Sequence, residues 1–143
     1  MPGLPGVATG WQKMRGWLEK RAVERLLGVR LPAGATELCY ARWQPSTDLA
    51  LHEVCMKFRA TRDDWLDLAR RRGLTMFDAG RPGPYLPSRW QVSPGAPPLD
   101  FWDASPETPA DAASGAMGSQ GWIIAKHERD WVYVMVRDTG VRP

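Results

Sequence analysis

The last apolar segment of the chain has hydrophobic side chains on both faces, and this constrains the fold more than any other feature of the sequence. Within 131–137, Trp131, Tyr133 and Met135 share one face of a strand, and three valines share the other. A strand with one solvated face alternates apolar and polar residues, whereas a strand covered on both faces does not. The sequence therefore predicts that 131–137 is a central strand of its sheet.

Four strands are predicted, arranged as two hairpins around short polar turns. The first hairpin joins 36–43 to 49–60, and the second joins 121–126 to 131–137. Short polar turns between β-favouring segments are typical of antiparallel neighbours. In 49–60 the apolar positions change phase near 52–53, so we expect a β-bulge there.

Two helices accompany the first hairpin. Apolar residues at helical spacing predict an amphipathic helix over 10–27, ended by Gly28. A second helix over 62–72 has Thr61 as its N-cap, carboxylates in its first turn, arginines in its last turn and Gly73 after it. Together with the hairpins, these helices predict an α+β fold: an antiparallel sheet of about four strands with two helices packed on one face.

Alternation within the strand 49–60 separates an apolar face from a charged one. The apolar side chains at positions 54, 56 and 58 are predicted to point into the core, against the helix 62–72. The charged residues between them are predicted to point to solvent: Glu53, Lys57 and Arg59.

A proline-rich segment, 75–121, separates the two predicted hairpins. Eight of the 13 prolines lie in it and its apolar residues have no periodicity, so a long loop is predicted. Its last part, 103–121, is rich in small residues and has no aromatic side chain, and we expect it to be mobile. A chain of 143 residues has the size of a single domain. We expect its first segment, 1–9, to be flexible.

Few residues are available for catalysis or metal binding. The chain has two histidines and two cysteines: His52, His127, Cys39 and Cys55. They lack the spacing of a zinc site, and no phosphate-binding loop or serine nucleophile motif occurs. The sequence therefore predicts no catalytic residue, no cofactor and no metal, and it favours a protein that is not an enzyme. A small Cys/His enzyme, with Cys39 or Cys55 reaching His127, is an alternative.

Positive charge is concentrated in the two predicted helices. The region 10–30 carries six Lys or Arg residues and two tryptophans, and 70–72 adds three arginines. Arginines interleaved with aromatic residues can bind single-stranded nucleic acid through phosphate contacts and stacking. The net charge is only +3 and no nucleic-acid-binding motif is recognisable. A nucleic-acid-associated basic protein is therefore the first alternative to a protein-binding role, ahead of the Cys/His enzyme.

Aromatic residues in the long loop point to a binding role. Tyr85, Trp90, Phe101 and Trp102 lie in a segment that is otherwise rich in proline and small residues. Large apolar side chains on a loop either hold the loop on the core or contact a partner. We take these four residues as candidate partner-binding residues. The sequence thus predicts a small soluble protein that binds an unknown protein partner, in an accessory, inhibitor or immunity-type role.

The sequence contains no segment that is typical of membrane insertion or secretion. The longest purely apolar run, 131–136, is far shorter than the ~20 residues that span a bilayer. The first ten residues lack the basic and apolar regions of a secretory signal. We therefore expect a cytoplasmic protein without a membrane span, whose two cysteines are reduced.

Overall fold

The computed structural model describes residues 11–14, 17–43, 52–77, 90, 98–106, 111–117 and 121–138. These residues form one antiparallel sheet of seven strands with two helices. The elements in chain order are β1 (Gln12–Met14), α1 (Trp17–Leu27), β2 (Thr36–Trp43), β3 (His52–Arg59), α2 (Arg62–Arg72), β4 (Thr75–Met76), β5 (Ala113–Met117), β6 (Gly121–Glu128) and β7 (Trp131–Asp138). The strand order is β1-β2-β3-β7-β6-β5-β4.

Strand β7 lies at the centre of the sheet, as its two apolar faces predict. It pairs with β3 on one side and with β6 on the other. Its residues from Val132 to Val136 are all buried. The prediction of a central strand is therefore confirmed.

The prediction of about four strands is wrong, because three short strands extend the sheet at its edges. β1 pairs with β2, β5 pairs with β6, and β4 pairs with β5. β1 takes up the start of the predicted helix 10–27, so that α1 begins only at Trp17. β4 and β5 interrupt the predicted loop 75–121. The broad class stays that of an antiparallel sheet with two helices.

These three strands have no alternation that a local pattern could reveal. They contain two to five residues, and β5 reads Ala-Ser-Gly-Ala-Met. Strand preference depends strongly on context, so pairing with the edge of a formed sheet outweighs a weak local tendency. The predicted flexible segment 1–9 lies outside the described residues, and the mobility predicted for 103–121 stays a prediction.

The predicted bulge near 52–53 is also not found. β3 pairs with β7 in continuous register from His52 to Arg59. The irregularity lies in the neighbouring strand β2, between Thr36 and Cys39. There Glu37 has a φ of 54°, a left-handed conformation that shifts the register of the strand.

Helix α2 has the bounds and caps that its sequence predicts. The Thr61 side-chain oxygen accepts a hydrogen bond from the Asp64 backbone N–H at 3.1 Å, and Gly73 ends the helix with a φ of 77°. Trp65 and Leu68 are buried in the main apolar cluster. That cluster includes the sheet residues predicted to receive them: Val54, Met56 and Phe58. The predicted packing of α2 is confirmed.

The sheet is covered on both faces, by different kinds of structure. The helix face, which carries Val54, Met56 and Val134, packs against α1 and α2. The loop face, which carries Cys55 and Met135, packs against a second apolar cluster. This cluster takes its covering side chains from irregular parts of the chain: Trp90, Leu99, Phe101, Trp102 and Ala104. The segment 98–106 therefore lies across the loop face.

Candidate functional site

The aromatic residues predicted to bind a partner hold the segment 98–106 on the sheet. Trp90 is only 1% exposed, whereas Phe101 and Trp102 are half-buried. The Trp102 indole N–H points to the Trp90 carbonyl at 3.4 Å, and its ring meets the Tyr133 ring edge-on at 5.4 Å. Tyr85 lies outside the described residues. Of the predicted residues, Trp90 thus belongs to the core, and Phe101 and Trp102 are shared between core and surface.

Two lysines rise from the sheet beneath this segment. Lys57 of β3 and Lys126 of β6 are the direct cross-strand neighbours of Tyr133 on β7. Directly paired residues share one face, so the three side chains form a row on the loop face. Lys57 is 8% exposed and Lys126 is fully buried. Lysine is rarely buried unless it is paired, and the partners of both ammonium groups include residues of the segment 98–106.

Asp103 joins Lys57 to Tyr133. Its Oδ1 atom accepts hydrogen bonds from the Lys57 ammonium at 2.8 Å and from the Tyr133 hydroxyl at 2.6 Å. Partial burial raises the pKa of Asp103, but these two hydrogen bonds and the Lys57 charge outweigh it and hold the pKa below its ordinary value. Burial and the Asp103 carboxylate together raise the pKa of Tyr133 well above its usual range. Asp103 is therefore ionised and Tyr133 is neutral at physiological pH.

Lys126 holds the same segment at Ser105, two residues after Asp103. Its ammonium donates to the Ser105 carbonyl at 2.7 Å and lies 5.0 Å from the centre of the Trp90 ring. Its ion-pair partner Glu128, with 3.7 Å between Nζ and Oε1, accepts hydrogen bonds from both the backbone N–H and the hydroxyl of Ser105. Burial raises the pKa of Glu128, yet the Ser105 hydrogen bonds and nearby cations lower it overall. We call these six residues the latch: Lys57, Tyr133, Lys126, Glu128, Asp103 and Ser105.

The latch resembles a catalytic cluster in composition but not in arrangement. Ser105 Oγ lies 3.3 Å from Lys126 Nζ, a distance at which a lysine could in principle activate a serine. However, the Ser105 hydroxyl donates a hydrogen bond to the Glu128 carboxylate, which is also the ion-pair partner of Lys126. The hydrogen bonds of Ser105 are thus used to fix the segment to the sheet.

The structure does not bring together the cysteine and histidine that the enzyme alternative requires. Cys39 and Cys55 lie on the loop face, whereas His127 lies on the helix face, where its Nε2 is 2.9 Å from the Ala60 carbonyl oxygen. Burial raises the pKa of both thiols. Among the residues that the structure describes, no three His, Cys, Asp or Glu side chains are grouped to hold a metal ion.

The three arginines at the end of α2 form ion pairs and hydrogen bonds within the chain. Arg70 and Arg71 both pair with Asp67, and Arg71 also donates to the Arg30 carbonyl. Arg72 donates to the Ala116 carbonyl of β5 at 3.0 Å. These intramolecular contacts weaken the argument for a phosphate-binding surface at 70–72.

Sequence reasoning missed the residues of the latch. Side-chain alternation predicts that Lys57 points to solvent, and it does place Lys57 on the face opposite Val54 and Met56. That face is covered by a segment distant in sequence, which no local pattern reports. One available signal was Lys126, because a lysine that follows four largely apolar residues, 122–125, needs a buried partner or an exit to water.

No protein-family model, curated protein or solved structure is significantly similar to the chain. Within the described residues, neither helix has the length and apolar character needed to cross a membrane.

Proposed function

We propose that the chain is a non-catalytic binding protein that recognises a protein partner through the outer side of the segment 98–106. The observation that carries this proposal is the latch, in which two buried lysines of the sheet hold the irregular segment 98–106 in place. Burying an ammonium group costs free energy unless its hydrogen bonds are replaced. A segment that covered the sheet with apolar side chains alone would bury no ammonium group and would need no replacement hydrogen bonds. The latch, in contrast, supplies those hydrogen bonds and thereby fixes the positions of Asp103 and Ser105.

A segment that is fixed before binding is suited to recognition. Ordering a flexible loop on association reduces affinity, and a loop held in advance by its scaffold avoids much of this loss. The outer side of the segment combines charge with aromatic surface. Asp100 is exposed, the Asp103 side chain is 66% exposed, and the half-buried Phe101 and Trp102 lie between them. Aromatic residues with flanking charges are common in interfaces, where the charges help to set orientation.

Site-specific crosslinking of the full chain tests this proposal. A photoreactive amino acid at position 100 should capture a defined protein from an extract of the native host. The matched control carries the same amino acid at position 63, an exposed aspartate at the start of α2, on the helix-bearing side of the sheet. Capture of the same proteins from both positions would contradict recognition by the segment 98–106.

A second variant tests the role of the latch. Tyr133→Phe removes the hydroxyl that donates to Asp103 and keeps the buried ring. We expect faster hydrogen exchange in 98–106, unchanged exchange in β5, and a lower crosslinking yield from position 100. An unchanged yield from a segment that exchanges faster would show that pre-organisation is irrelevant to the interaction.

A further inference from the structure

A second group of side chains lies at the other end of the loop face. Trp43, Glu53, Arg137 and Trp122 are directly paired across β2, β3, β7 and β6. They therefore form one row across four strands, which we call the tryptophan row. Glu53 precedes Lys57 by four residues, so the row lies about 13 Å along the strand from the latch. The tryptophan row is thus separate from the latch, although Trp11 and Trp122 pack against the same second apolar cluster as Phe101 and Trp102.

Both ends of the tryptophan row are aromatic and partly accessible. Trp11 stands beside Trp43, with ring centres 6.1 Å apart and planes inclined by 42°. At the other end, the Arg137 guanidinium lies 5.4 Å from the centre of the Trp122 ring. All three tryptophans are half-buried, so each keeps part of its indole at the surface. Three strand spacings separate the two ends, a distance of about 14 Å.

The middle of the row is an ion pair with one buried member. Glu53 Oε1 lies 3.8 Å from Arg137 Nη2, and the side chains are 2% and 35% exposed. The buried Glu53 carboxylate, 3.8 Å from the Arg137 guanidinium, offsets the positive charge that would attract a phosphate. The accessible part of Arg137 still offers N–H donors. This surface is therefore suited to a ligand that accepts hydrogen bonds but has no negative charge.

These properties together specify a chemical class. A ligand for the row must offer an apolar plane to a tryptophan at each end and hydrogen-bond acceptors between them. A sugar ring has an apolar face of C–H groups and hydroxyl groups around its edge. We propose that the tryptophan row binds a neutral oligosaccharide about 14 Å long. The sugar rings of this oligosaccharide stack on Trp43 and Trp122, and its hydroxyl groups accept hydrogen bonds from Arg137.

Titration of the full chain with defined ligands tests this site. The probes are neutral oligosaccharides, namely cellohexaose, hexa-N-acetylchitohexaose, maltohexaose and mannohexaose, together with single-stranded oligothymidylate. Binding is followed by calorimetry and by tryptophan fluorescence. We expect at least one oligosaccharide to bind. Trp43→Ala and Trp122→Ala should each weaken its binding about tenfold or more, the effect of losing one stacking contact.

The controls separate loss of binding from loss of folding. Phe77→Ala removes a half-buried aromatic ring that lies beside Ala112, near the latch end of the loop face, and should leave the affinity unchanged. Arg137→Gln keeps an N–H donor but removes the charge, so it should weaken binding less than Trp122→Ala. If an alanine variant unfolds, the corresponding phenylalanine variant retains a ring and should bind with intermediate affinity.

Two outcomes would overturn the proposal. Failure of every oligosaccharide to bind the folded chain would exclude a carbohydrate site of this kind. Binding of oligothymidylate alone, weakening steeply with added salt, would identify the row as a nucleic-acid platform instead.

Discussion

The indole N–H of Trp65 donates a hydrogen bond of 2.7 Å to the backbone carbonyl of Asp111. This contact joins the N-terminal part of α2 to the chain just before β5. Arg62, one turn earlier on α2, forms a two-pronged ion pair with the Asp111 side chain. One residue of the proline-rich region is thus held by α2 through both its backbone and its side chain.

Replacement of Trp65 should show how much this contact contributes to stability. Trp65→Ala should lower the free energy of unfolding by about 3–5 kcal/mol, because it leaves a cavity in the core. Trp65→Phe keeps most of the burial but leaves the Asp111 carbonyl without its donor, which costs about 1–3 kcal/mol. Urea unfolding measures both values. Leu66→Ala, at the half-buried neighbour, is the control. A loss equal to that of Trp65→Ala would contradict the deeper burial of Trp65.

The latch predicts a loss of stability in acid. The pKa values of Asp103 and Glu128 lie below their ordinary values of 3.8 and 4.5, because the hydrogen bonds they accept outweigh the effect of burial. A carboxyl group with a lower pKa in the folded state stabilises the fold above its unfolded pKa. This contribution is lost as the pH falls through the folded pKa.

Unfolding free energies measured from about pH 7 to about pH 2 test this prediction. They should begin to fall just below the ordinary pKa of glutamate and continue to fall through the aspartate range. Asp103→Asn removes one of the two groups and should make this acid dependence shallower. If the variant and the parent chain lose stability in parallel, the bonds of Asp103 to Lys57 and Tyr133 do not stabilise the fold.

Gly115 of β5 is required by the close approach of Leu74. A β-carbon at position 115 would lie 2.8 Å from Leu74 Cδ2 and 3.6 Å from Ile123 Cγ2. Because Cδ2 is the end of a flexible side chain, Gly115→Ala should cost about 1 kcal/mol, and Gly115→Val should approach 3 kcal/mol. In the background of Leu74→Ala, the same Gly115→Ala change should cost measurably less. Additive effects in urea unfolding would place Leu74 away from Gly115.

The two thiols should react slowly in the folded protein. Burial, assisted by Glu53, raises the pKa of Cys55, and burial with nearby carboxylates, of which Glu19 has the largest effect, raises that of Cys39. A protonated thiol is a poor nucleophile. Alkylation followed by mass spectrometry should therefore modify Cys55 only after unfolding, and Cys39 more slowly than a model thiol. Cys39→Ser isolates the signal of Cys55, and rapid alkylation of either native thiol would revive the hypothesis of a cysteine enzyme.

The candidate site could be predicted only in part. Phe101 and Trp102 are large apolar side chains in a proline-rich stretch, so the sequence indicates that this stretch either packs on the core or contacts a partner. The lysines beneath it give no such indication. In sequence, Lys57 is an ordinary charged residue alternating with apolar ones, and its burial depends on contacts with Asp103, which is 46 residues away.

Local sequence determined the elements whose signals are complete within a short stretch. Thr61 and Gly73 set the ends of α2, because capping involves groups only a few residues apart. The two apolar faces of β7 determined that it lies in the centre of the sheet, since side-chain alternation is itself local. Only the tertiary structure decided the rest. The edge strands β1, β4 and β5 exist because a formed neighbour supplies their hydrogen bonds, and the latch exists because folding brings the segment 98–106 over one face of β3, β7 and β6.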